Sequence, residues 1–174
     1  MRTIAIVTER RADYSRYKPI LELIREDPEL DYKLIVTGIS LLKEHGNDID
    51  VIRRDGFAIE AVLPMFAENA PDTGAEMVRA MGRVMPALAD LFERLRPDVI
   101  LLDLSLPKLN GCDAALRIRE QSWGKDILLI ALTGWAKDED KRRTKAAGFD
   151  LHLVKPIDLA VLEKIVADIQ PTAV

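Results

Sequence analysis

Three residues in the second half of this 174-residue chain stand just after apolar, β-branched runs and carry complementary chemistry. Asp103 follows residues 99–102, Thr133 follows 127–132 and Lys155 follows 151–154. If those runs are parallel strands, a carboxylate, a hydroxyl and an ammonium arrive at one edge of a sheet, the edge where open α/β sheets bind ligands. Lys155, with Arg10 or Arg11 and loop N–H groups, would hold an anion such as phosphate or sulfate there. The first apolar run, residues 4–7, leads into Thr8-Glu9-Arg10-Arg11-Ala12-Asp13-Tyr14, so a lone acid, Glu9, stands beside two arginines. The plainer alternatives are a merely solvated carboxylate at Asp103 and, for Arg11 and Asp13, a local ion pair or a cap on the next helix.

Positioning these residues falls to six apolar runs, at residues 4–7, 34–36, 61–63, 99–102, 127–132 and 151–154. All but 61–63 are continuous rather than alternating, which suits strands buried on both faces of a parallel sheet. Helical spacing fills the gaps. Tyr17, Ile20, Leu21, Leu23 and Ile24 share a stripe; a long helix starts near Asp72 or Thr73, with Pro86 expected to kink or split it; residues 41–54 are weakly helical. Further helices are expected at 114–119, at 138–147 with Gly148 as cap, and at 158–169. Strands alternating with helices through right-handed crossovers give an α/β fold, a three-layer α/β/α, Rossmann-like or flavodoxin-like doubly wound sheet of six strands in the order 3-2-1-4-5-6. Without a repeat or a flexible linker, residues 1–174 are expected to form a single domain around one core, and the contact between its halves is expected to be apolar throughout.

The composition narrows the function classes. With 48% hydrophobic residues, 31% charged residues and a net charge of -4, the chain can build a core in water; it has no long uncharged apolar run for a membrane helix. No secretory signal is readable at Met1-Arg2-Thr3-Ile4, which makes the cytoplasm the expected compartment. The acidic balance and 5% aromatic content speak against a nucleic-acid partner. Cys112, the single cysteine, offers neither disulfide nor zinc cluster and has no neighbouring base to activate it. His45 and His152 read as a surface residue and a packed or edge residue, and Lys141-Arg142-Arg143 as a solvated helix face. No Gly-x-Gly-x-x-Gly follows the first strand and no Walker-type Gly-Lys-Ser/Thr occurs, so no nucleotide cofactor is expected. A monomer is the favoured state.

Two families are resembled, one in each half. Residues 2–98 resemble the N-terminal part of the hydrolysing UDP-N-acetylglucosamine 2-epimerases, through Ile6-Val7-Thr8-Glu9-Arg10-Arg11-Ala12-Asp13-Tyr14, Leu34-Ile35-Val36-Thr37-Gly38, His45-Gly46-Asn47 and Asp55-Gly56-Phe57. The resemblance implies that Arg11, Asp13 and Tyr14 are remnants of a nucleotide-sugar site, Arg11 facing phosphate oxygens. It stops after Leu102, where the family continues into its remaining catalytic loops and a second domain, so epimerase turnover is not expected and the chain is read as no enzyme.

Residues 97–169 resemble the receiver domain of two-component response regulators, through Asp98 to Gly111 with its Asp103, Ile130-Ala131-Leu132-Thr133-Gly134, Ala147-Gly148-Phe149-Asp150 and Val154-Lys155-Pro156. The resemblance implies Asp103 as phosphoacceptor, Thr133 and Lys155 as phosphate-site residues, and a cis bond before Pro156. It also implies a Mg²⁺ held by two adjacent acids after the first strand. Only Glu9 stands there, so Glu9 and Asp103 would bind Mg²⁺ weakly. Because both families have the fourth or acceptor strand beside strand one, the join at Arg96-Pro97-Asp98 (halves 1–97 and 98–174) reads as an engineered recombination of two fragments into an inactive scaffold. An atypical receiver phosphorylated on Asp103 is the alternative, and leftover binding of a nucleotide sugar or anion the second.

Overall fold

The computed structural model describes residues 1–42, 48–67, 70–104, 111–134, 138–155, 157 and 159–167. Six strands, β1 (Arg2–Thr8), β2 (Leu30–Thr37), β3 (Ala61–Leu63), β4 (Val99–Asp103), β5 (Leu128–Thr133) and β6 (Leu151–Val154), form one parallel sheet in the order β3-β2-β1-β4-β5-β6. This is the order expected from the pattern of apolar runs. The strands exceed those runs mainly at their ends: β2 begins four residues early, and β4 takes in Asp103 itself.

Helices α1 (Arg11–Glu26), α2 (Asp48–Arg54), α3 (Gly74–Leu95), α4 (Gly111–Glu120), α5 (Asp138–Ala146) and α6 (Leu159–Ala167) cover the sheet. Tyr17, Ile20, Leu21 and Ile24 form the buried stripe of α1, as their spacing requires. The weakly helical stretch 41–54 resolves into a 3-10 turn over Gly38–Leu41 and the short α2; His45 lies outside the described residues, as do Pro156 and the last residues of the expected C-terminal helix. Thr73 caps α3, its hydroxyl accepting from the Glu76 N–H at 3.2 Å. Pro86 does not split α3, which runs on through it to Leu95. A proline removes one backbone donor, and apolar packing on both sides of the gap, from Val84 to Leu88, holds the helix together.

Alternate residues of each strand feed opposite layers. Ala5, Val7, Ile35, Ile100, Leu102 and Leu129 pack with α3 and α4. Ile4, Ile6, Leu34, Val99, Leu101 and Leu132 pack with α1, α2 and α6. Each layer therefore draws on both sequence halves. Their contact is not apolar throughout: at its amino end Asp98 clasps Thr3, the carboxylate accepting the Thr3 N–H at 2.8 Å while the Asp98 N–H donates to the Thr3 carbonyl at 2.9 Å. Next to the join, Arg96 caps α3 in the left-handed region at φ 46°, the one non-glycine residue with positive φ among the described residues.

Candidate functional site

The carboxyl edge of β4, β5 and β6 is assembled by the backbone ladder. Asp103 lies opposite Leu132, and Thr133 opposite Val154. The ladder then continues one residue past two of the strands, with the Leu104 N–H donating to the Leu132 carbonyl at 2.8 Å and the Lys155 N–H to the Thr133 carbonyl at 2.7 Å. Asp103, Thr133 and Lys155 thus occupy successive steps on one edge, on strands about 4.8 Å apart. Thr133 is buried and Lys155 half-buried; the Asp103 carboxylate lies outside the described atoms. β1 flanks β4 on its other side, Ile4 to Ile6 pairing with Val99 to Leu101, so Glu9 emerges at the same edge.

At that edge the stem of Glu9 leans toward β2. Its side chain is 2% exposed and lies over Gly38, just beyond β2: a Cβ on Gly38 would stand 2.0 Å from the Glu9 Cγ. Gly38 has φ 65°, a left-handed conformation natural to glycine, and the Ser40 N–H that follows donates to the Glu9 carbonyl at 2.9 Å. The stem of Glu9 therefore faces the β2 side of β1, opposite to β4. Among the described residues no three His, Cys, Asp or Glu side chains are placed to share a metal ion. A single acid after β1 is not the adjacent carboxylate pair that near-octahedral Mg²⁺ ligation needs.

The Arg-Ala-Asp-Tyr segment is occupied with its own half. Asp13, fully buried in the first turn of α1, pairs with Arg10 at 3.3 Å and Arg16 at 3.8 Å, so its partners are not Arg11. Neither residue caps α1 by its side chain, since the extended Arg10 is the N-cap. The Tyr14 hydroxyl donates to Asp55 at 2.6 Å, its ring meeting Phe57 edge-on. Burial, and then that hydrogen bond to Asp55, push the Tyr14 phenol well above its ordinary range. Asp55 is held below the usual carboxylate range by the Tyr14 hydroxyl and, after it, Lys18 at 3.1 Å. Arg11 alone of the three is exposed. Nearby, burial pushes Asp48 up, against smaller opposing effects of Ser40 and Arg11.

The residues 61–167 match the family model of the response regulator receiver domain. This chain belongs to that family. The match begins 36 residues before the likeness read from the strand motifs, taking in β3 and α3 as well. The UDP-N,N'-diacetylbacillosamine 2-epimerase (hydrolyzing) of Legionella pneumophila is 32% identical over 102 residues, 59% of this chain, and the match spans about a quarter (26%) of that relative's length. The polar-differentiation response regulator DivK of Brucella anthropi is 29% identical over 100 residues, covering 58% of this chain and 80% of the relative. In structure, the receiver domain of a Pseudomonas aeruginosa sensor histidine kinase, solved with a magnesium ion in its active-site cleft, superposes over 97% of this chain and 96% of its own at a TM-score of 0.55 and 23% identity. That likeness establishes the flavodoxin-like fold of the receiver. No helix among the described residues is long and apolar enough to cross a membrane.

The amino edge of the receiver half holds a feature that spacing did not reveal. Arg119, at the end of α4, donates to the carbonyls of Gly124 at 2.7 Å, Ile127 at 2.8 Å and Gly148 at 2.8 Å, and pairs with Asp150. The Asp150 carboxylate also accepts the Leu129 N–H at 2.8 Å. This staple fixes the loops that enter β5 and β6, and so the height at which Thr133 and Lys155 leave the sheet.

Proposed function

We propose that this chain is an atypical receiver module with Asp103 as phosphoacceptor and with Thr133 and Lys155 serving the phosphoryl group. The observation that carries this is the ladder that sets Asp103, Thr133 and Lys155 on successive steps of one edge. In the reaction an Asp103 oxygen attacks the phosphorus of a small acyl phosphate, the bond to the acyl oxygen breaks, and the carboxylate leaving group departs with its electron pair. Asp103 becomes an aspartyl phosphate. The Lys155 ammonium offsets the charge on the phosphoryl oxygens and the Thr133 hydroxyl donates to one of them. With Glu9 the single acid after β1, transfer is slow and gains little from Mg²⁺. Incubation with acetyl phosphate, followed by intact mass, tests it: one added phosphoryl group that disappears in Asp103→Asn is expected, and no gain, or a gain that survives this substitution, contradicts it.

A second reading has a specific observation in its favour. The epimerase likeness, 32% over 102 residues, favours a recombination of two fragments, which this reading takes as engineered, joined near Arg96-Pro97-Asp98 and inert; the receiver match, which begins at residue 61, runs across that join. This second reading predicts no phosphoryl gain. Both readings expect no turnover of a nucleotide sugar, because Asp13 and Tyr14 are tied up in structural contacts. Weak binding of phosphate or sulfate at Lys155 is compatible with either.

A further inference from the structure

An apolar cavity of about 160 Å³ lies between α3 and α4, beneath the sheet edge but on the layer opposite to α1. Val7 and Leu102 form its floor, and Phe92, Ile118 and Trp123 its walls. The aromatic pair stands at 6.5 Å between ring centroids, tilted by 56°, which leaves the ring faces unstacked. Sealed packing defects are usually smaller than this and closed to solvent. This one opens: its mouth at Met85 and Pro86 runs into a groove past Met81 and Leu116, and Leu116 is 46% exposed. Pro86 has no N–H for the Gly82 carbonyl, so α3 lacks a helical hydrogen bond beside the mouth and can give there without losing another.

From this geometry we infer that the cavity is a binding site for a small neutral aromatic ring of the size of toluene or phenol. Apolar cavities of about 150 Å³ stay dry and take up benzene, so the volume fits one ring and not two. The apolar walls exclude a charged ring, which would lose its hydration there, and Asp113 in the groove outside adds a negative charge that disfavours an aromatic acid further. Arg117 and Glu120, one helical turn apart, both line the mouth, and their charges offset each other; the neutral amide of Gln121 beside them suits a hydroxyl substituent. The site draws its floor from β1 and β4 and its walls from α3 and α4, elements on both sides of Arg96-Pro97-Asp98, so a ligand there bears on the join itself.

Methyl NMR of the intact chain during a toluene titration tests the inference. Saturable shifts are expected at Val7, Leu88, Leu102 and Ile118, with Val36 and Leu132 of the opposite layer unmoved. Ala89→Leu, which fills the cavity, weakens the response at least tenfold in a folded protein; Ala114→Leu serves if that variant does not fold. Shifts that fail to saturate, that appear equally in both layers, or that persist in a folded filled variant overturn the inference.

Discussion

The ion pairs around Asp13 in the β1–β2 half and the Arg119 staple of the β4–β6 half lie at opposite edges of the sheet. In the β1–β2 half Asp13 pairs with Arg10 and Arg16 and Tyr14 with Asp55 in the motif that follows β1, and Glu9 lies over Gly38, while Arg2–Glu29 and Asp31–Lys33–Glu60 pair nearer the amino edge. In the β4–β6 half Arg119 and Asp150 staple the entering loops at the amino edge, while the carboxyl edge is shaped by backbone rungs. A motif whose side chains are spent on internal ion pairs has little left for a ligand. The edge of β4, β5 and β6 is set by the ladder, which brings Asp103, Thr133 and Lys155 to neighbouring strand ends. The same fold thus carries an epimerase-like motif as structure and a receiver-like motif as a candidate site.

The comparison breaks most readily at the amino-edge staple. Arg119→Ala leaves the carbonyls of Gly124, Ile127 and Gly148 short of a donor and Asp150 short of its cation; a loss of about 3 kcal/mol is expected, read by urea denaturation. Asp13→Ala should lose less, about 2 kcal/mol, because Arg10 and Arg16 are partly exposed and return to water. Near-neutral stability for either substitution would remove that network from the account.

Tyr14→Phe sharpens the comparison through pH. Asp55 is held below its ordinary value in the folded chain, first by Tyr14, so its contribution to stability is present above the ordinary carboxylate range and is lost as pH falls through the folded value. Removing the phenol raises the folded value toward the unfolded one. The acid-side slope of stability against pH should therefore flatten, and an unchanged slope would show that Lys18 and Arg54 set it without Tyr14. The smallest expected effect is at the join: Arg96→Gly relieves the left-handed backbone at φ 46° and should add about 0.5 kcal/mol after the extra entropy of a glycine in the unfolded chain.

Much of this arrangement was legible in the residues. Continuous apolar runs gave the parallel sheet and its order, and the strand ends gave Asp103, Thr133 and Lys155 as one edge, because both depend on local spacing. Arg119 was not legible. Its partners lie up to 31 residues away, on loops whose approach exists only in the folded sheet. The turn of Glu9 toward β2 was hidden for a similar reason, since it depends on Gly38 across the β1–β2 pair. The split expected at Pro86 did not occur: the loss of one backbone donor was outweighed by the apolar face that α3 presents to the sheet.

The central claim is that chemistry belongs to the β4–β6 edge and structure to the β1–β2 edge. It is tested most directly by phosphoryl uptake from acetyl phosphate, followed by intact mass in the parent chain, Asp103→Asn, Lys155→Ala and Arg11→Ala. The account predicts uptake of one group in the parent, none in Asp103→Asn, at least tenfold slower uptake in Lys155→Ala, and a rate within about twofold of the parent in Arg11→Ala. Uptake lost in Arg11→Ala but kept in Lys155→Ala, or no uptake in any of the four, would contradict it.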